Sequence, residues 1–281
     1  MQPYRKTRIQ DTSKYADQNH EATMVNKPGL PRADWVEEAE RVIRTAEERK
    51  VILRLIGAIA VVMHCPTYRY LHRQLTRDIS DIDFVSYGRY VSEVEELFKE
   101  LGYEEERIVK TLYKGRLLFN DSTNNRHTDV FFDKLEFCHD IPFKGRLECD
   151  SPTVPLAELL IAKMQIVKLN EKDVIDTVLL LREHNMGEAD KETINAKRIA
   201  QLCANDWGLW MTVTTNFGRI RQLLYGYQAV TDEDKKDIAA KINMLLKYIE
   251  EEPRSVAWKM RAMIGEKKKW YREVEEVYRH Y

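Results

Sequence analysis

Residues 77–85 read Arg77-Asp78-Ile79-Ser80-Asp81-Ile82-Asp83-Phe84-Val85, and this stretch decides the fold. Side chains on a strand alternate between faces, so Ile82 and Phe84 enter a core while Asp81 and Asp83 project together from the other side. Two carboxylates on one face of a buried strand repel each other and lose hydration. A divalent cation removes both penalties, and hard oxygen donors suit Mg²⁺. A second acidic strand follows at His127-Thr128-Asp129-Val130-Phe131-Phe132-Asp133, where Val130 and Phe132 face away from Asp129. Three carboxylates from adjacent strands are a platform for two-metal phosphoryl or nucleotidyl transfer.

Upstream, the β-branched run Val51–Ile56 predicts a buried strand that breaks at Gly57, and Ala58 to His64 suits a helix packed on it. A glycine between strand and helix allows close backbone approach, and the free N–H groups of the helix start can hold a phosphate. Before that strand, Asp34 is placed to cap a helix running to Lys50, with Val36, Ala39, Ile43 and Ala46 as its apolar stripe. Residues 65–80 read as a loop carrying Arg69, His72, Arg73 and Arg77. Arg77, four residues ahead of Asp81, is its candidate phosphate ligand, since arginines neutralise phosphates bidentately.

Downstream, a helix from Val91 stops at Gly102, and short strands are expected over 108–113, 116–119 and 128–132. From Pro155 helices dominate, over 155–169, 171–184, 193–226 with breaks, 232–250 and 254–279. The chain therefore divides into a polar tail or strap (1–32), an α/β part (33–150) and a helical part (151–281), an α+β organisation.

Composition agrees. The 281 residues are 43% hydrophobic and 32% charged, which excludes disorder over most of the length. With 45 Lys+Arg against 46 Asp+Glu, no global field draws the chain onto nucleic acid. Cys65, Cys138, Cys149 and Cys203 form no Cys-x-x-Cys pair, which argues against a disulfide framework or structural zinc. The most apolar window, Val51 to Met63, is too short to span a bilayer and contains Arg54. The N-terminus has no apolar stretch behind its charges, so no membrane association is expected and the expected compartment is the cytoplasm.

In the helix predicted from Pro155, Lys163 falls inside the stripe formed by Leu156, Leu159, Leu160, Ile166 and Val167, where a lysine must snorkel or meet an anion. The next helix opens with Lys172-Asp173-Val174-Ile175-Asp176, whose two aspartates lie one turn apart. The C-terminal segment 254–281 interleaves Lys and Arg with Trp258, Trp270, Tyr271, Tyr278 and Tyr281. It reads as a terminal amphipathic helix laying its aromatics on the helical part, with single-stranded nucleic acid as the rival reading. Trp207, Trp210 and Phe217 are expected in the core of that part.

The Gly57 turn, the Arg77-x-x-Ser80-Asp81-Ile82-Asp83 run and the later Asp129 together resemble the nucleotidyltransferase superfamily that shares the fold of DNA polymerase beta. Ala58 stands where that family has a second Gly or a Ser. The run Lys163-x4-Lys168-x3-Lys172-Asp173-x-x-Asp176 is similar to a motif of the abortive-infection nucleotidyltransferase toxins and their uncharacterised relatives. The likeness spans roughly residues 51–182. It implies a nucleotidyltransferase-type mixed sheet flanked by helices and followed by a helical bundle. It implies a catalytic set of Asp81, Asp83, Asp129 and Asp176, with the first three holding two Mg²⁺ ions or Mn²⁺. It also implies nucleotide contacts from Gly57, Ala58, Arg77, Ser80 and Lys163. The expected reaction moves a nucleoside monophosphate from an NTP, ATP included, to RNA, protein or a small molecule with release of pyrophosphate. The toxin-like group further implies an antitoxin-like protein partner. Two other readings stand beside it: a nucleotide- or partner-binding protein without turnover, favoured by Ala58 and the long 65–80 loop, and an Asp-x-Asp glycosyltransferase, disfavoured by the Gly57 turn and the lone Asp129 strand.

Overall fold

Five strands form the main sheet, and their order sets the acidic strand beside the second carboxylate strand. The computed structural model describes residues 29–107, 111 and 115–274. Strands β1 (Leu53–Ile56), β2 (Asp81–Ser86), β3 (Glu104–Glu105), β4 (Arg116–Asp121) and β5 (Arg126–Phe132) lie in the order β1-β2-β5-β4-β3. Only the β2–β5 pair is parallel, so the sheet is mixed. Its register sets Asp83 against Asp129 and Asp81 against His127.

Helix α1 (Trp35–Glu48) begins at Asp34, whose carboxylate accepts from the Val36 and Glu37 N–H groups. Ala39, Val42, Ile43 and Ala46 bury its apolar stripe. Glu38 is buried as well, and is satisfied by Arg41 and the Tyr103 hydroxyl. Helix α2 (Gly57–His64) leaves β1 directly, and the predicted loop after it holds a short helix, α3 (Tyr70–Gln74). Helix α4 (Val91–Glu100) covers the sheet face opposite the aspartates, where Phe98 stacks on Phe119 at 4.3 Å and meets Phe84 edge-on at 5.8 Å. A small hairpin, β6 (Lys134–Glu136) and β7 (Asp140–Pro142), follows β5. The strand expected over 108–113 lies largely outside the described residues, and Thr111 within it is helical.

The helical part comprises α5 (Leu156–Met164), α6 (Glu171–Glu183), α7 (Ala196–Asn205), α8 (Trp207–Leu223), α9 (Asp232–Glu251) and α10 (Val256–Ile264). A two-stranded parallel ribbon, β8 (Asn185–Gly187) and β9 (Thr193–Asn195), precedes α7. Helix α5 is held by Glu158, which is fully buried between Arg146 (2.7 and 3.1 Å) and Arg198 (3.0 Å).

Two helices end earlier than their apolar pattern predicts. Helix α5 stops at Met164 rather than 169 because Asn216 donates to the Met164 and Ile166 carbonyls (3.0 and 2.8 Å), replacing continued helical pairing. Ile166 and Val167 thereby leave the core stripe and face a cleft. Helix α10 stops at Ile264 because Gly265 adopts φ +59° with ψ −142°, a conformation open to glycine alone. A 3-10 turn over Gly265–Lys267 follows, and residues 268–274 then run without helix back toward the sheet. The aromatics of this region pack as expected: Trp270 meets Trp207 edge-on at 6.1 Å and Trp258 meets Trp210 at 5.3 Å. Tyr278 and Tyr281 lie outside the described residues. No helix among the described residues is long and apolar enough to cross a membrane.

Candidate functional site

The aspartate face of the sheet and the helical part enclose a cleft of about 440 Å³. Its sheet side presents Asp81 and Asp83 from β2, Asp129 and Phe131 from β5, Arg116 from β4, and Ile56-Gly57 at the start of α2. Its other side presents Ala162 and Lys163 from α5, Val167 and Lys168 from the following turn, and Asp173 from α6. Strand alternation explains the sheet side, since Ile82 and Phe84 are fully buried on the opposite face.

Gly57 closes the β1 end. Its φ is +79°, and a Cβ there would lie 2.5 Å from Asp83 Oδ2. Helix α2 carries no side-chain cap at its N-terminus, so its first N–H groups start beside that carboxylate. Ala58 contributes only this backbone, because its methyl group is buried in the core. Gly57→Ala combines a left-handed backbone that costs a non-glycine residue about 1–2 kcal/mol with displacement of Asp83. A fall in thermal midpoint together with loss of ligand binding at the cleft is expected, read by calorimetry and titration on the same sample.

The three cleft aspartates differ in surroundings. Desolvation, with Asp81 and Asp129 close by, pushes the Asp83 carboxyl well above its ordinary range, and Lys163 and Arg116 offset this only in part. Asp129, 4% exposed, gives both oxygens to Arg116 in a bidentate pair of 2.8 and 3.0 Å. The Arg116 guanidinium also sits over the Phe131 ring at 5.4 Å.

Besides Ala58, three of the residues predicted for the site do not line the cleft, and a fourth, Lys163, is shared between the cleft and the interior. Asp176 lines no part of the cleft. It is fully buried on α6, where Arg77 grips it bidentately at 3.0 Å on each oxygen. Lys163 Nζ lies 2.8 Å from the same carboxylate and His72 Nε2 3.1 Å from it. Burial alone would raise the Asp176 carboxyl, but Lys163, His72 and Arg77 outweigh it and hold it well below the usual range. Arg77 is therefore spent on Asp176, its side chain only 5% exposed. Ser80 is exposed just ahead of β2 and is not among the residues lining the cleft. Lys163 reaches both places: it bonds Asp176, lies 3.6 Å from Asp173 and still lines the cleft. Burial works against its charge, yet Asp176 and Asp173 prevail and keep the ammonium protonated above its usual value.

Sequence reasoning missed Arg116, Lys168, Tyr271 and Glu273 as cleft residues. Arg116 was legible in principle. The turn at 122–125 folds β4 on β5, so residues of matching parity share a face, and Arg116 lies diagonal to Asp129. Tyr271 and Glu273 carry no such signal, because their position depends on where Gly265 ends α10.

A divalent cation is compatible with the Asp81–Asp83 pair, which offers hard oxygen donors from one strand face where Asp83 is crowded by the Asp81 and Asp129 carboxylates. Asp129 differs, since its oxygens are occupied by Arg116. Among the described residues no group of three His, Cys, Asp or Glu side chains is arranged to hold a metal ion. The residues thus fit one cation directly, and a second would require Asp129 to exchange Arg116 for metal.

No protein-family model matches this chain, and no curated protein matches it. Among solved structures, the chain is similar to the solution structure of the antibiotic-resistance factor ANT(2'')-Ia. The TM-score is 0.38 at 15% identity, covering 59% of this chain and 91% of that one.

Proposed function

We propose that this chain is a metal-dependent nucleotidyltransferase that moves a nucleoside monophosphate from an NTP to an acceptor and releases pyrophosphate. The observation that carries this reading is the convergence of three things in one cleft. Asp81 and Asp83 share a strand face, Asp129 stands in register with Asp83 on the parallel neighbour, and the uncapped N-terminus of α2 opens at Gly57 beside them. A volume of about 440 Å³ suits a mononucleotide.

Asp81 and Asp83 would hold the cation, which when bound neutralises phosphate oxygens and activates the acceptor hydroxyl or amine. The chain's own groups do the positioning. The first N–H groups of α2 face the phosphates, and the missing side chain of Gly57 leaves room for them beside Asp83. Lys163, fixed by Asp176 and Asp173, sets a positive charge across the cleft from Asp83. Arg77, His72 and Asp176 act one step back by fixing that lysine. Arg116 neutralises Asp129 and supplies a second cation at the sheet.

The Arg116–Asp129 pair also favours a second reading, nucleotide binding without transfer, because it ties up the carboxylate that would otherwise complete the platform. Incubation of the four NTPs with Mg²⁺ or Mn²⁺, with cellular RNA, protein and small-molecule amines as acceptors, separates the two. Pyrophosphate release with label moved to one acceptor class is the expected result and names that class. Tight NTP binding without pyrophosphate release over the whole panel would replace transfer by binding.

A further inference from the structure

We propose that the C-terminal strap, residues 268–274, is part of the nucleotide site: Tyr271 is the surface on which the nucleobase lies, and Arg272 is the residue that positions it. This rests on reading the cleft as a nucleotide site.

The lining falls into two groups. Asp81, Asp83, Gly57 and Lys163 make one of them polar, whereas Phe137 and Val167 bring apolar surface beside the strap, where Tyr271 and Val274 also line the cleft and Lys168 pairs with Glu273 at 3.9 Å. A nucleotide has the same division, charged phosphates at one end and a flat ring at the other. Bases stack on aromatic side chains with little sequence preference, because every base offers a π face.

The strap is held in place at both sides of Tyr271. On one side, the Trp270 indole donates to Thr212 Oγ1 at 3.3 Å and packs edge-on against Trp207. Gly208 makes room for this crossing, since a Cβ there would stand 2.5 Å from the Trp270 carbonyl oxygen. On the other side, Arg272 donates its backbone N–H to the Cys138 carbonyl and its Nε–H to the Phe137 carbonyl, both at 3.0 Å, and its guanidinium pairs with Asp140. The strap is thus tied to α8 through Trp270 and to the β6–β7 hairpin through Arg272. Tyr271, between the two ties, lines the cleft together with Glu273 and Val274; the Lys269 ammonium lies 4.9 Å from its ring centroid, Trp270 meets the ring edge-on at 5.4 Å, and Glu273 pairs with Lys269 at 2.6 Å. Core packing by Trp270 alone does not require the Arg272 ties. They fix the direction in which the next residues line the cleft.

The test compares two probes, each with Mg²⁺, by calorimetric titration: the NTPs, which carry a base, and tripolyphosphate, which does not. Tyr271→Ala and Arg272→Ala are expected to weaken NTP binding by about tenfold or more. Both should leave tripolyphosphate binding within about twofold, and Tyr271→Phe should restore NTP binding. Asp81→Asn/Asp83→Asn should weaken both probes. Unchanged NTP affinity in Tyr271→Ala overturns the role of the strap while the nucleotide reading of the cleft stands. Equal loss of both probes in Tyr271→Ala also overturns it, since the strap then acts only through the fold. Failure of the wild type to bind any NTP removes the nucleotide reading and the strap's role together.

Discussion

Asp176→Ala should lower the stability of the fold by about 3–5 kcal/mol at neutral pH, the range found when one partner of a buried ion pair is removed. The substitution leaves Arg77 and Lys163 facing each other across a fully buried position, with His72 beside them. Asp176→Asn keeps the shape and some hydrogen bonding, so its loss should be smaller but of the same sign. Urea unfolding of the three proteins measures this directly. The pH dependence follows from the depressed carboxyl. A group whose folded pKa lies below its unfolded value contributes stability that is complete above about pH 4 and is lost as pH falls through the folded value. The gap between wild type and Asp176→Ala should therefore narrow on acidification. If unfolding is unchanged while activity disappears, Asp176 serves the reaction directly and the buried cluster has been misjudged.

Asp81→Asn/Asp83→Asn should reduce nucleotidyl transfer by about 10³-fold or more, since a bound metal supplies several kcal/mol of charge stabilisation in the transition state. The same pair of changes should raise the thermal midpoint of the protein in EDTA. Asp83 is desolvated and crowded by Asp81 and Asp129, and Arg116 already belongs to Asp129. Replacing both carboxylates by amides relieves crowding and desolvation that Lys163 and Arg116 offset only in part. Opposite signs for activity and stability are the mark of groups held in place for chemistry at the expense of the fold. A pair of variants as active as the wild type would end the carboxylate-platform argument. A lowered midpoint in EDTA would show instead that the two aspartates are structural.

The legible part of this protein came from short-range periodicity. Alternation along 81–85 puts two aspartates on one face whatever lies around them, and Gly57 between an apolar strand and an apolar helix marks a turn that only glycine fills without strain. Asp34 as a cap and the 91–101 amphipathic run were readable for the same reason, because each depends on neighbours within one turn. Lys163 was readable as an anomaly: a charge in an apolar stripe needs a partner, and the structure supplies Asp176 and Asp173.

Pairings between distant residues were decided only by the tertiary structure. Arg77 and Asp176 are 99 positions apart, and neither residue type nor spacing shows that they meet inside the protein rather than in the cleft. Arg116 could belong to solvent, phosphate or carboxylate until the register of β4 on β5 brought it to Asp129. The strap reached the cleft because Gly265 ends α10 and Asn216 ends α5, both through hydrogen bonds and backbone angles that an apolar pattern does not encode. By itself the sequence determined which residues share a face, since that follows from the repeat of the local backbone. Which charges neutralise one another was left to the tertiary structure, because a buried charge takes whichever opposite charge the packing brings within about 3 Å.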